Sequence, residues 1–255
     1  RYTKAKIVAI TGSNGKTTTT LLTYHFLKSA GLKVGLAGNI GQSFAKQVME
    51  NQHDIYVLEI SSFQLDRCFQ FKPDVAVLLN ITPDHLDRYE YKLELYAASK
   101  FRLTRNQQAS DYFIYCSDDP ISMEYFSLKT GNAVALPFSV AQSCNPGAYV
   151  ENNTLFINNN KQTITINMEE ISLRGIHNTY NSMAAAVVAS LLDVRKETIR
   201  ESLCNFQNAE HRLEPVNRVN GVEYINDSKA TNAHAAQTAL LSFENVIWIA
   251  GGDAK

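Results

Sequence analysis

No apolar run in this 255-residue chain approaches the roughly 18 residues that cross a membrane as a helix. The basic start, Arg1-Tyr-Thr-Lys-Ala-Lys6, is followed only by Ile7-Val-Ala-Ile10, too short for the apolar core of a secretory leader. Cysteine is sparse. Cys68, Cys116, Cys144 and Cys204 include no CxxC pair and are too few for a disulfide framework, so they read as reduced thiols of a cytoplasmic protein. With 12 glycines and 6 prolines, collagen-like and low-complexity chains are excluded. Neither sign of charge is in excess: 24 Lys and Arg face 25 Asp and Glu, a net charge of −1. Such a chain has no overall field to draw in a nucleic-acid backbone. What is present, 45% apolar residues over this length, suffices for one large domain or two smaller ones.

Short apolar runs alternate with amphipathic stretches in the first half. The pattern predicts strands at Lys6–Ile10, Val34–Ala37, Ile55–Ile60, Val75–Leu79 and Tyr112–Tyr115, with helices at Thr17–Ala30, Phe44–Gln52 and Lys92–Thr104. Near-continuous apolar strands separated by helices indicate a parallel sheet covered on both faces. Ala148–Val150, Thr154–Ile157 and Gln162–Ile166 instead alternate apolar and polar residues, as in a small antiparallel sheet. Helices are expected at His177–Leu192 and Lys196–Asn205. Beyond a boundary near 206–212 the pattern restarts with strands Leu213–Val219 and Val222–Ile225, a helix Ala233–Phe243 and a strand Val246–Ala250. An apolar strand running into Gly251-Gly-Asp-Ala-Lys255 is an unusual end for a domain, and the chain reads as a fragment at both ends.

The first strand runs into Thr11-Gly-Ser-Asn-Gly-Lys-Thr-Thr18 and then a helix. That is a phosphate loop with the spacing Gly12-x-x-Gly15-Lys16-Thr17, shorter than GxxxxGK[ST]. Backbone N–H groups and the helix N-terminus cradle phosphates, Lys16 brings a cation to the β/γ oxygens, and Thr17 offers a hydroxyl to Mg²⁺. In a parallel sheet ligands sit at the carboxyl ends of strands. Glu59 ends the third strand, where a carboxylate among Ile, Val and Leu needs a partner: a metal, or water at a sheet edge. Asp84, His85, Asp87 and Arg88 follow the fourth strand, as site residues or as a solvated turn. Lys100, mid-helix, reads on physics alone as a surface lysine with its head in water.

Seven segments in order then carry a resemblance. They are Thr11–Thr18, Leu58-Glu-Ile-Ser-Ser-Phe-Gln-Leu65, Asn80-Ile-Thr-Pro-Asp-His-Leu-Asp-Arg-Tyr89, His177-Asn-Thr-Tyr-Asn181, His211-Arg212, Asn226-Asp-Ser-Lys-Ala-Thr-Asn232 and Gly251–Lys255. The chain resembles the Mur ligase superfamily, and its Ser-Ser-Phe-Gln-Leu and Asn-Asp-Ser-Lys-Ala-Thr-Asn strings resemble the D-glutamate-adding branch. The resemblance implies an α/β fold. A P-loop central domain, with a mostly parallel sheet plus a small antiparallel one, spans residues 1–208. The start of a Rossmann-like C-terminal domain spans 209–255, and the N-terminal UDP-binding domain is absent. The implied activity is ATP-dependent addition of D-glutamate to UDP-N-acetylmuramoyl-L-alanine through an acyl phosphate, in peptidoglycan precursor synthesis. The implied enzyme is a cytoplasmic monomer that engages neither nucleic acid nor membrane. Sister ligases adding another amino acid, a folylpolyglutamate synthetase-like enzyme, and a non-catalytic nucleotide-binding module are the alternatives.

Residue by residue, the resemblance implies ATP contacts from Gly12, Ser13, Asn14, Gly15, Lys16, Thr17 and Thr18. It adds adenine contacts from Asn178 and Asn181, and phosphate or ribose contacts from Arg212 and Asp227. The alternatives are caps or helix-face residues for Asn178 and Asn181, and an interdomain ion pair for Arg212 with Asp227. Two Mg²⁺ sites are implied, with ligands among Thr17, Glu59, His85 and Lys100, the last carrying a CO₂-derived carbamate. Lys16, Glu59, His85 and Lys100 are the implied catalytic residues. Asn39, Ser61, Lys229, Thr231 and Lys255 are the implied substrate contacts.

Overall fold

The computed structural model describes residues 3–128, 132–159 and 162–252. The first strand, β1 (Lys6–Thr11), sends Val8 and Ile10 to one face and Ile7 and Ala9 to the other, and all four are buried. The third, β3 (Ile55–Glu59), divides likewise, with Ile55 and Val57 on the first face and Tyr56 and Leu58 on the second. A strand apolar on both faces must be covered on both, so helices flank the sheet. One layer is α1 (Lys16–Ser29), α6 (Ile176–Leu191) and α7 (Lys196–Asn205). The run Ala184-Ala-Ala-Val-Val-Ala189 keeps α6 slender, so it packs closely against α1. The other layer holds α2 (Phe44–Glu50), the single turn α3 (Ser62–Leu65), α4 (Leu93–Phe101) and α5 (Pro120–Leu128).

The sheet has nine strands. Alongside β1 and β3 are β2 (Val34–Gly38), β4 (Val75–Leu78), β5 (Tyr112–Cys116), β6 (Val134–Ser139), β7 (Gly147–Glu151), β8 (Thr154–Asn158) and β9 (Thr163–Asn167), in the order β2-β3-β1-β4-β5-β6-β7-β8-β9. Pairing is parallel from β2 through β7 and antiparallel among β7, β8 and β9. The expected antiparallel strands are thus present, joined edge-on to the parallel sheet. From β1 the chain passes to the edge strand β2, comes back to place β3 between β2 and β1, and then crosses to place β4 on the other side of β1. The switch point, where a crevice opens at the carboxyl ends of strands, is therefore at β1.

The predicted elements of the first 205 residues form close to their expected bounds, while α3, α5 and β6 lie outside the expected set. A separate antiparallel pair, β10 (Glu214–Val219) and β11 (Val222–Asn226), turns at Asn220 and Gly221, with φ of 50° and 82°. The last helix is α8 (Ala233–Leu240). One expectation fails: Val246–Ala250 forms no strand. Ile247 and Ile249 are 88% and 90% exposed, and no described strand lies beside them to complete a ladder. No helix among the described residues is long and apolar enough to cross a membrane.

Candidate active site

The loop between β1 and α1 is shaped by the strand next door. Asn80, just past β4, accepts the Ser13 amide on its backbone oxygen at 3.0 Å and the Asn14 amide on Oδ1 at 2.9 Å. Its Nδ2 donates to the Asn14 carbonyl at 3.2 Å. The Ser13 hydroxyl donates to the Thr82 carbonyl at 2.9 Å and lies 3.1 Å from the Tyr96 hydroxyl. Gly15 caps α1 at φ 83°, where a Cβ would stand 2.2 Å from Asn181 Oδ1, so only glycine fits. Lys16 Nζ donates to the Gly12 and Ser13 carbonyls at 2.8 and 2.7 Å. Burial lowers its pKa, Glu59 and Asp84 oppose the shift, and Arg212 adds to it.

Glu59 stands beside the loop, 2% exposed. It accepts from Thr17 Oγ1 on Oε2 and from Asn39 Nδ2 on Oε1, both at 2.8 Å. The Asn39 amide also donates to the Glu59 carbonyl at 2.8 Å. Gly38 permits this closeness, because at φ 104° a Cβ there would lie 2.1 Å from that same oxygen. Arg212 Nη2 donates to Thr17 Oγ1 at 3.0 Å. A carboxylate, a hydroxyl and a guanidinium thus meet at the start of α1.

Lys100 departs from the sequence expectation: it is 2% exposed, not a surface lysine. It follows Tyr96 by one helical turn on α4, its Nζ 4.4 Å from the Tyr96 ring centroid and donating to the Gly12 carbonyl at 2.8 Å. Burial first, then the Lys16 charge, pulls its pKa well below that of an ordinary lysine, against the pull of Asp84. Burial and a hydrogen bond to Ser13 act in opposite senses on the Tyr96 phenol, which ends up at about 12. His85 adopts φ 52°, with its ring centroid 5.1 Å from that of Phe63 in an edge-on arrangement and its Nε2 3.7 Å from Asp84 Oδ2.

Asn178 and Asn181, each 4% exposed, are engaged with the protein. Asn181 Oδ1 accepts from Thr19 and its Nδ2 donates to Asn178 Oδ1, both at 3.1 Å, while Asn178 Nδ2 donates to the Arg174 carbonyl at 2.8 Å. Asp227 accepts the Leu213 amide at 3.1 Å, and burial raises its pKa against the effect of that bond and of Arg212. Lys229 and Thr231 are exposed on the cavity wall. Ser61 caps α3 in a capping box with Gln64, outside the cavity lining. Lys255 lies outside the described residues. Several contributors carried no role in the sequence reading: Asn80, Tyr96, Asp118, Asn208 and Asn232. Asp118, past β5, accepts from the Tyr180 hydroxyl and the Val140 amide at 2.9 and 2.7 Å. Asn208 accepts from Thr18 Oγ1 at 3.1 Å. The signal for Asn80 was available: a polar residue ending an aliphatic strand next to the loop.

Most of these groups, though not Tyr96, Lys100 or Ser61, line one cavity of about 980 Å³, together with Cys116, Tyr180 and Thr238. A family model described as Mur ligase middle domain matches residues 10–189. The chain is 51% identical, over its whole length, to UDP-N-acetylmuramoylalanine--D-glutamate ligase of Christiangramia forsetii, and spans 57% of that relative. Among solved structures, MurF from Acinetobacter baumannii matches with TM-score 0.74 and 19% identity, over 94% of this chain and 55% of that one. MurF ligase from Thermotoga maritima, crystallised in complex with ADP, matches with TM-score 0.69 and 22% identity, over 94% and 58%. At those identities the two structures speak for the fold.

Proposed function

The chain belongs to the Mur ligase family, and from that premise we propose that it carries the ATP-handling core of a ligase joining D-glutamate to UDP-N-acetylmuramoyl-L-alanine. The supporting observation is the meeting of Lys16, Thr17, Glu59 and Arg212 at a phosphate loop on the sheet's switch point. The 51% identity to a D-glutamate ligase supports the amino acid. Residues 1–208 form the nucleotide domain on this reading, and 209–255 begin a second unit with its own sheet.

A carboxylate is a poor acyl donor because its leaving group would be oxide. ATP converts it to an acyl phosphate. The amine of D-glutamate attacks that carbon, the C–O bond to phosphate breaks, and an amide, ADP and phosphate result. Lys16 follows the charge on the β/γ oxygens as it shifts to the bridging oxygen. Arg212, held at Thr17, adds a second cation to the same region. Asn39 orients Glu59 and Asn80 fixes the loop amides. On this reading Asn178 and Asn181 are assigned to the adenine, Asp227 to the ribose, and Lys229 and Thr231 to the substrate.

The donors fit Mg²⁺. Thr17 and Glu59 are hard oxygen ligands side by side, and no trio of His, Cys, Asp or Glu is gathered among the described residues. Such a pair suits an ion that keeps waters and takes its other ligands from phosphates. When bound it neutralises phosphate charge. His85 and Lys100 would serve a second ion. Lys100 fits only as its carbamate, and burial favours the neutral amine that adds CO₂, releasing one proton. The test is phosphate release dependent on both substrates, in a full-length protein carrying this chain. Lys16→Ala is expected to abolish it, and retained turnover overturns the proposal.

A further inference from the structure

Asn232 spends its two side-chain atoms on different neighbours. Its Oδ1 accepts the Ala235 amide at 2.8 Å and caps α8. Its Nδ2 donates to Asn14 Oδ1, in the middle of the phosphate loop, at 3.0 Å. A helix cap needs only the oxygen, which serine supplies equally well. The amide nitrogen serves the second contact alone.

The Asn14 backbone is already clamped on both sides by Asn80, and its Nδ2 donates to Thr82 Oγ1 at 3.3 Å. Its Oδ1 is thus presented from a fixed loop. The segment bearing α8 meets the rest of the chain at several described points, Ser242 beside Gly175 among them. Two side-chain bonds to the start of α1, Thr18 to Asn208 and Arg212 to Thr17, secure its entrance. Farther along, Val216, Tyr224 and Leu241 are exposed. Asn232 pins the segment again beyond the hairpin, where Thr231, Asn232 and Ala235 line the cavity.

We propose that Asn232 is a positioning residue that fastens the start of α8 to the phosphate loop and so holds this wall of the cavity against the nucleotide. The inference rests on the nucleotide reading of the cavity. It separates clasp from cap, because Asn232→Ser keeps the cap and loses the reach, while Asn232→Ala loses both.

The experiment measures ATP and ADP affinity by calorimetry, and hydrogen exchange of the α8 amides, for a full-length protein carrying this chain and for both variants of it. Both variants are expected to bind nucleotide about five- to tenfold more weakly, the effect of one ordinary hydrogen bond. Only Asn232→Ala should also speed exchange in α8. Serine binding like wild type while alanine binds weakly would assign the effect to the cap and overturn the inference. Both variants binding like wild type would overturn it alone. A wild-type chain that binds neither ATP nor ADP would overturn the nucleotide reading and this inference with it.

Discussion

Lys16 and Lys100 donate to the same acceptor, the carbonyl oxygen of Gly12, each at 2.8 Å. Two lysine amines therefore converge on one oxygen; burial lowers the pKa of both, Glu59 and Asp84 oppose this at Lys16, and Asp84 opposes it at Lys100.

The first expectation concerns stability. Lys100 has its folded pKa below 10.5, the value of an ordinary lysine, so the unfolded chain binds more protons between the two. Stability contributed by Lys100 therefore rises with pH across that window and is lowest below it. Lys100→Met should raise the melting temperature at pH 7 in CO₂-free buffer, and the gap should narrow toward pH 10.5. A gap that widens with pH would contradict the burial argument.

Carbamylation has its own signature. In a full-length protein, Lys100→Ala should lose ligase activity, and a short carboxylic acid in the medium should restore part of it by supplying the missing carboxylate. Absence of rescue would count against the carbamate while leaving the rest of the site intact.

Glu59→Gln keeps the shape but turns one oxygen into a donor facing Thr17 or Asn39, which both donate to the carboxylate. Turnover should fall by about a hundredfold or more, a loss typical of a removed electrostatic stabiliser. Its dependence on Mg²⁺ should weaken. Steady-state rates across a Mg²⁺ titration decide it, and an unchanged titration would remove Glu59 from the ligand set.

Gly15→Ala combines a left-handed backbone with a collision against Asn181 Oδ1 at 2.2 Å. The strained conformation alone costs about 1–3 kcal/mol. Adding Asn181→Ala should recover only the steric part of the lost stability. Full recovery in chemical denaturation would show that the backbone angle is not limiting.

His177 lines the cavity, and burial lowers its pKa from 6.5. The unfolded chain then takes up more protons just below pH 6.5, so stability falls as pH drops from there through the lowered value. His177→Gln should flatten this acid limb in the nucleotide-free chain, as read by melting temperature between pH 7 and pH 5.

Much of this was legible from the chain. Aliphatic strands such as Ile7–Ile10 and Val75–Leu78 announce a two-faced sheet because no other arrangement buries them, and the phosphate loop follows from glycine and lysine spacing. Other parts were hidden for physical reasons. Pro137 interrupts the run of β6, yet it is tolerated because pairing with β7 begins only at Phe138. The helix α5 opens on Asp119-Pro120, where Asp119 accepts the Ser122 amide at 2.9 Å, a cap signal followed by too little periodicity to read. Lys100 was misjudged because burial of a charge is a property of the tertiary neighbourhood, here Tyr96 and Gly12, which single-helix spacing does not carry. Val246–Ala250 has a strand's composition without a neighbour, and composition alone makes no ladder.

Asn80 gives the phosphate loop a mould that lies 66 positions away from Asn14 along the chain. Transplanting the eight residues Thr11–Thr18 into another protein would therefore move the lettering without the form that sets it. A working graft would have to carry β4 and the asparagine just past it as well.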